Sequence, residues 1–91
     1  MFDKDFFGRA FAERVQEFSR DHGEAHLRVE VVTLSGERHD TLQIKAIETG
    51  TRLYTHDDRL VFLPYSQIAF IDVSILRDHR VEAFRPSTSS E

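Results

Sequence analysis

Histidine and aspartate are where chemistry would begin in this chain. The histidines stand at His22, His26, His39, His56 and His79. A zinc site needs three or four such donors to converge on one point. His22 and His26 are four apart, the spacing of one helix face, but Gly23 lies between them and is a natural helix stop. His39 and His56 read as turn or strand-end residues, and His79 sits beside Asp78 near the chain end. They read as solvated surface side chains, and no metal is expected. His56-Asp57-Asp58 could supply hard oxygen ligands or an acid–base pair. Aspartate is also what a turn uses to bond its own backbone, and the turn reading is preferred. Ser66 lacks the Gly-x-Ser-x-Gly elbow that presents a nucleophile. Gly8, Gly23, Gly36 and Gly50 are too dispersed to cradle a phosphate. The expectation is therefore no catalytic residue, no cofactor and no enzyme.

Aromatic rings next to cations are the one remaining cue. Tyr54 with Arg52, and Tyr65 with Arg59, could stack on bases while the guanidinium groups hold phosphate. The competing reading packs the rings at a subunit seam and leaves the arginines in water. Overall charge weighs against a polyanion: the chain carries 12 Lys and Arg against 16 Asp and Glu, a formal charge of -4. No segment is strongly basic, and phosphate binding is driven by cations that release counterions.

These residues must be positioned by a single small domain, since 91 residues without a cysteine offer neither a second core nor a disulfide staple. Domains of this kind often gain stability by oligomerising. The acidic, interrupted start Met1-Phe2-Asp3-Lys4-Asp5 lacks a signal-peptide pattern. Apolar runs such as Leu60 to Leu63 are too short to cross a bilayer. A cytoplasmic protein without membrane contact is expected.

Residues 3–22 predict a helix. Phe7, Phe11, Val15 and Phe18 recur at intervals of four, four and three, which places them on one stripe that Phe6 and Ala10 widen. Asp3 and Asp5 suit its start, Arg20 and His22 its end. Gly8 costs up to about 1 kcal/mol against alanine there. The stripe is expected to cover the open face of a barrel, with Phe2 and Phe6 the residues that could be spare for a partner. Beyond Gly23 the period becomes two. Strands are expected from Leu27, over His39 to Ile47, over Thr51 to Thr55 and over Arg59 to Leu63, with turns at Ser35-Gly36, Glu48-Thr49-Gly50 and His56-Asp57-Asp58. Pro64 cannot donate a ladder hydrogen bond, so a strand ends there and a 3₁₀ turn fits the next residues. Ile68 to Val73 is a strand apolar on both faces, which calls for burial on both sides or pairing with another chain. Residues 74–85 fit either a closing strand or a helical tail. Residues 86–91 read as a disordered end. The division is thus one domain over 1–85, with a helix (3–22), a barrel (26–73) and an extension (74–85), then the tail.

A helix followed by five short strands, with a 3₁₀ turn before the last, is the layout of a strongly bent SH3-like barrel in the mainly β class. Val29-x-Val31-x-x-Leu34-x-Gly36, then Gly50, then Pro64-Tyr65-x-x-Ile68-x-x-Ile71 resembles the Sm-like family, which includes bacterial RNA chaperones. The resemblance spans about residues 3–73 and implies a ring-shaped homo-oligomer. In that family the fourth strand of one subunit pairs with the fifth of the next. Here that implies an interface of Arg59, Val61 and Leu63 against Ile68, Phe70, Ile71 and Val73. The chain departs from the family in the loop Ile47-Glu48-Thr49-Gly50, with no asparagine anywhere, and at Phe62 to Gln67, where the basic or glycine-containing motif is missing. The resemblance therefore implies fold and ring more directly than RNA binding. Two functions follow. One is a ring that binds single-stranded RNA or a small ligand at its pore, through Tyr65, Ser66 and Gln67 first and Arg52 and Tyr54 second. The other is a structural adaptor whose Phe-rich helix or C-terminal extension docks a protein.

Overall fold

The structure, a computed structural model, describes residues 2–85. Residues 86–91, expected to be a disordered tail, lie outside the described residues.

The helix begins close to where its sequence predicts. The Asp3 carboxylate accepts the Phe6 N–H at 2.8 Å, capping a donor the first turn leaves orphaned. A π-helical turn, Phe6–Ala10, precedes helix α1, Phe11–Asp21. In that wider turn both Phe6 and Phe7 reach Phe11, with ring centroids 5.8 and 5.5 Å away. Gly23 (φ 71°) and Glu24 (φ 60°) then turn the chain through the left-handed region. The Ser19 hydroxyl donates to the Ala25 carbonyl at 2.7 Å and pins the exit.

Five strands follow: β1 (Leu27–Thr33), β2 (Arg38–Ala46), β3 (Gly50–Thr55), β4 (Leu60–Pro64) and β5 (Ile68–Ile75). The expected strand ends hold to within one or two residues, and Tyr65–Gln67 forms the expected 3₁₀ turn. All pairings are antiparallel and the order is β4-β3-β2-β1-β5. The mainly β class with an N-terminal helix stands, but the expected barrel does not close: β4 and β5 lie at opposite edges and do not pair. β2 serves both halves of the sheet: its first half (38–41) pairs with β1 and its second half (41–46) with β3, with a register shift between Thr41 and Gln43. Such a bulge bends the strand, and closure would further need β4 and β5 to come into register, which the edge positions of both strands do not provide.

The concave side of the sheet carries Val29, Val31, Ile44, Ala46, Leu53, Leu63 and Ile68, against which Phe7, Phe11 and Val15 of the helical segment pack. Each such side chain contributes roughly 1.5–3 kcal/mol when fully buried. Residues 76–85 are neither the strand nor the helix expected of them. They form an irregular strap across the gap where β1 and β2 diverge. The Phe84 N–H donates to the Leu27 carbonyl at 3.0 Å and the Arg85 N–H to the Leu42 carbonyl at 2.7 Å. The Phe84 ring is buried and meets Phe11 edge-on, 6.0 Å between centroids.

Candidate functional site

Side chains along a strand alternate between faces, so the inward set above defines what points outward. On β2, β3 and β4 the outward residues are Gln43 and Lys45, Arg52 and Tyr54, Leu60 and Phe62. Register aligns them in two rows across the strands: Lys45 opposite Arg52 opposite Phe62, and Gln43 opposite Tyr54 opposite Leu60. The Lys45 ammonium lies 5.8 Å from the Tyr54 ring centroid, within reach of a cation–π contact. Leu60 and Phe62 are 47% and 64% exposed, large values for apolar side chains in mid-strand. Lys45 and Arg52 are the only charged residues within 42–47, 50–55 and 60–64.

The expected site residues divide. Arg52 and Tyr54 are on this face together. Lys45, Phe62 and Leu60 join them, and these were missed. The alternation of Leu60-Val61-Phe62-Leu63 was readable, but which strand it faced required the register. Tyr65 is not with them. The structure corrects its expected open position: its ring stacks on Phe7 at 6.0 Å, and its hydroxyl donates to the Ile47 carbonyl. Burial, then the nearby carboxylates of Asp3, Glu48 and Asp5, push its phenol above the ordinary tyrosine range. Its two ring-face and hydroxyl contacts are internal, so it is not presented for stacking on a base. Ser66 and Gln67 are exposed beside it, with the Gln67 carbonyl accepting the Leu34 N–H at 2.9 Å. Arg59 lies at the opposite end of β4 from Tyr65, 3.8 Å from Asp57, so the expected Arg59–Tyr65 pair is not assembled.

The expected interface residues also divide. Leu63 and Ile68 are buried in the chain's own core, so neither side chain is available to a neighbour. Val61, Ile71 and Val73 are half-buried against that core. Phe70 is 46% exposed at the β5 edge, with Arg38 stacked 5.8 Å over its ring. Between β5 and the helix runs an open apolar groove of about 430 Å³, walled by Phe2, Phe6, Phe18, Phe70, Ile71 and Val73 among others. Phe2 and Phe6, the residues expected to be spare, thus line a groove and also pack on the core.

A third cluster is ionic. Asp40 accepts from Arg28 Nε at 3.1 Å, and its other oxygen is buried without a hydrogen bond, His56 Nε2 standing 3.4 Å away. Arg38 Nη1 lies 3.4 Å from Glu30 and 3.3 Å from Asp72. These pairs are partly exposed and worth about 0–1 kcal/mol each; they tie the outer faces of β1, β2 and β5 together. In the His56-Asp57-Asp58 turn the Thr55 hydroxyl donates to the Asp57 carboxylate and holds it below the usual carboxylate range, and Asp58 takes a left-handed φ of 61°. His22 is occupied locally, its Nδ1 2.9 Å from the Phe18 carbonyl. Among the described residues, no three His, Asp or Glu side chains gather where they could hold a metal ion. No helix among them is long and apolar enough to cross a membrane. No family model matches the chain, and no curated protein or solved structure matches it.

Proposed function

We propose that this chain is a homo-oligomeric binding module whose copies join head to tail, β4 of one against β5 of the next. The observation that carries the reading is the presence of two open and unlike sheet edges. An edge strand presents a row of unpaired N–H and C=O groups, a template for another strand. Here β4 and β5 are both such edges. The β5 edge is flanked by the Phe-lined groove and by Asp72. The β4 edge has Arg52 and Lys45 behind it. Unlike edges favour a heterologous contact, which closes into a ring when the rotation per copy permits. The Sm-like resemblance expects the same two strands to meet.

A pore ligand held by Tyr65, Ser66 and Gln67 has less support. Asp3, Asp5 and Glu48 surround Tyr65, and carboxylates repel phosphate. The adaptor reading draws on the same groove, with a foreign segment in place of a second copy. Sedimentation of the purified chain and of Phe70→Lys separates the two. Self-assembly predicts a discrete oligomer that the added edge charge dissociates. A monomer at tens of micromolar would refute it and leave the adaptor.

A further inference from the structure

The aromatic row of the helix is interrupted by a cation. Phe11, Arg14 and Phe18 follow at helical spacing, so Arg14 stands in the same stripe as the rings. We propose that the groove between this stripe and β5 binds the alkyl chain of a free fatty acid, with the Arg14 guanidinium holding the carboxylate. The facing wall includes Ile71 and Val73, which pair with Val31 and Val29 and so face the helix side of the sheet. Among the described residues Arg14 is the one charged side chain that lines the groove, and no carboxylate lines it. It is also exposed and uncommitted. Glu13 beside it pairs with Arg9, and no ion pair or hydrogen bond to another described residue holds the Arg14 guanidinium. Arg38, stacked over Phe70 at the groove's edge, is by contrast spoken for by Glu30 and Asp72. One free cation beside an otherwise apolar groove matches a ligand with one anionic group and an apolar body.

Shape selects the alkyl chain. Phe6 and Phe18 both line the groove, and the helical segment between them spans about 18 Å. Its 430 Å³ over that length leaves a cross-section of about 24 Å². That admits one extended chain, not a helix about 10–12 Å across. At roughly 30 Å³ for each water-sized group, the groove takes about ten to fourteen carbons. Arg14 is nearer Phe18 than Phe6, so the carboxylate sits toward that end and the tail runs toward Phe6 and Phe2. An extended peptide there would lay its N–H and C=O groups against phenylalanine rings, where they lose water without gaining a partner. An alkyl chain has no such groups to lose. A protein interface draws on about 20–30 residues a side, more than wall this groove. An anionic membrane surface repels a chain of net charge -4. The inference does not rest on head-to-tail pairing: strands join in the plane of the sheet, and the groove lies on its helix face.

The test uses the full chain with dodecanoate, with dodecyltrimethylammonium as the cationic match, and with vesicles of phosphatidylcholine and phosphatidylglycerol. Calorimetry gives affinities and NMR amide shifts give the place. The proposal expects saturable dodecanoate binding with a Kd of about 0.1 mM, the strength with which one acyl chain enters a bilayer. Shifts should centre on Phe6, Arg14, Phe18, Ile71 and Val73, and the cationic match should bind at least about tenfold more weakly. Arg14→Glu, at an exposed position where folding is not at risk, is expected to weaken dodecanoate at least about tenfold and to remove the preference for it. No saturation by about 1 mM dodecanoate, equal affinity for the two amphiphiles, an Arg14→Glu variant that binds dodecanoate like the parent, or shifts centred outside the groove would each overturn it. Vesicle binding without dodecanoate binding would also overturn it and give the groove to a membrane surface. Sedimentation of the same samples reads edge pairing separately. A monomer that binds dodecanoate here rejects the pairing and keeps the site, and an oligomer that binds none rejects the site and keeps the pairing.

Discussion

Removing the Phe84 ring should unfasten the C-terminal strap and expose how much of the domain depends on it. Phe84 is 7% exposed, belongs to the same buried cluster as Leu27 and Ile44, and lies against Phe11. Truncating a buried phenylalanine to alanine costs about 3–5 kcal/mol, from lost transfer energy and the cavity left behind. The strap's two main-chain bonds to Leu27 and Leu42 depend on that anchor, and each contributes about 0.5–1.5 kcal/mol. A domain of this size has a total stability of roughly 5–14 kcal/mol. Phe84→Ala should therefore remove at least about a fifth of it and lower Tm by at least about 12 °C. Urea unfolding followed by far-ultraviolet circular dichroism measures this, with Phe62→Ala as the exposed control expected within about 0.5 kcal/mol of the parent. If Phe84→Ala loses under about 1 kcal/mol, the strap is not part of the core and the account of residues 76–85 is wrong.

Other consequences follow from single contacts. Tyr65→Phe, which deletes only the hydroxyl bonded to Ile47, should cost about 1 kcal/mol in urea unfolding. The Tyr65 phenol is raised in the folded state, chiefly by burial, so folding favours its protonated form. Stability should be intact below the unfolded tyrosine value of about 10 and fall as pH rises through the folded one; Tyr65→Phe should flatten that alkaline decline, and an unchanged decline would remove Tyr65 as its source. Gly50→Ala places a Cβ 2.4 Å from the Leu63 carbonyl oxygen and 2.8 Å from Pro64 Cα, so β3 and β4 must part, at about 1–3 kcal/mol by thermal melting. His56→Ala withdraws the group nearest the buried Asp40 oxygen and should cost about 1 kcal/mol; a neutral result would mean Arg28 alone satisfies that carboxylate.

Local features were readable from the residues. The period of the phenylalanines placed the helix, alternation placed the strands, and Gly23, Gly36 and Pro64 marked where elements stop. What escaped was set by contacts distant in sequence. Tyr65 looked like a free aromatic because nothing local reveals that Phe7 lies over its ring, 58 residues earlier in the chain by their numbers. Phe84 sits in a segment with no periodicity, and its place is set where the β1–β2 ladder ends at Val29 and Thr41, beyond which the strap bonds Leu27 and Leu42. The open sheet has the same origin: strand lengths and turns fit a barrel, but closure depends on bend and stagger. Arg52 and Tyr54 were found because they share one strand. Their partners Lys45 and Phe62 are on neighbouring strands, and only register brings them together.

The claim that bears most on function is that the two unlike sheet edges join copies of the chain. Native mass spectrometry of the purified protein, without added ligand, tests it most directly. Head-to-tail pairing of β4 with β5 predicts one discrete closed assembly of several copies, with few monomers at micromolar concentration. A spectrum of monomers alone would contradict it and leave both edges unused by self-association.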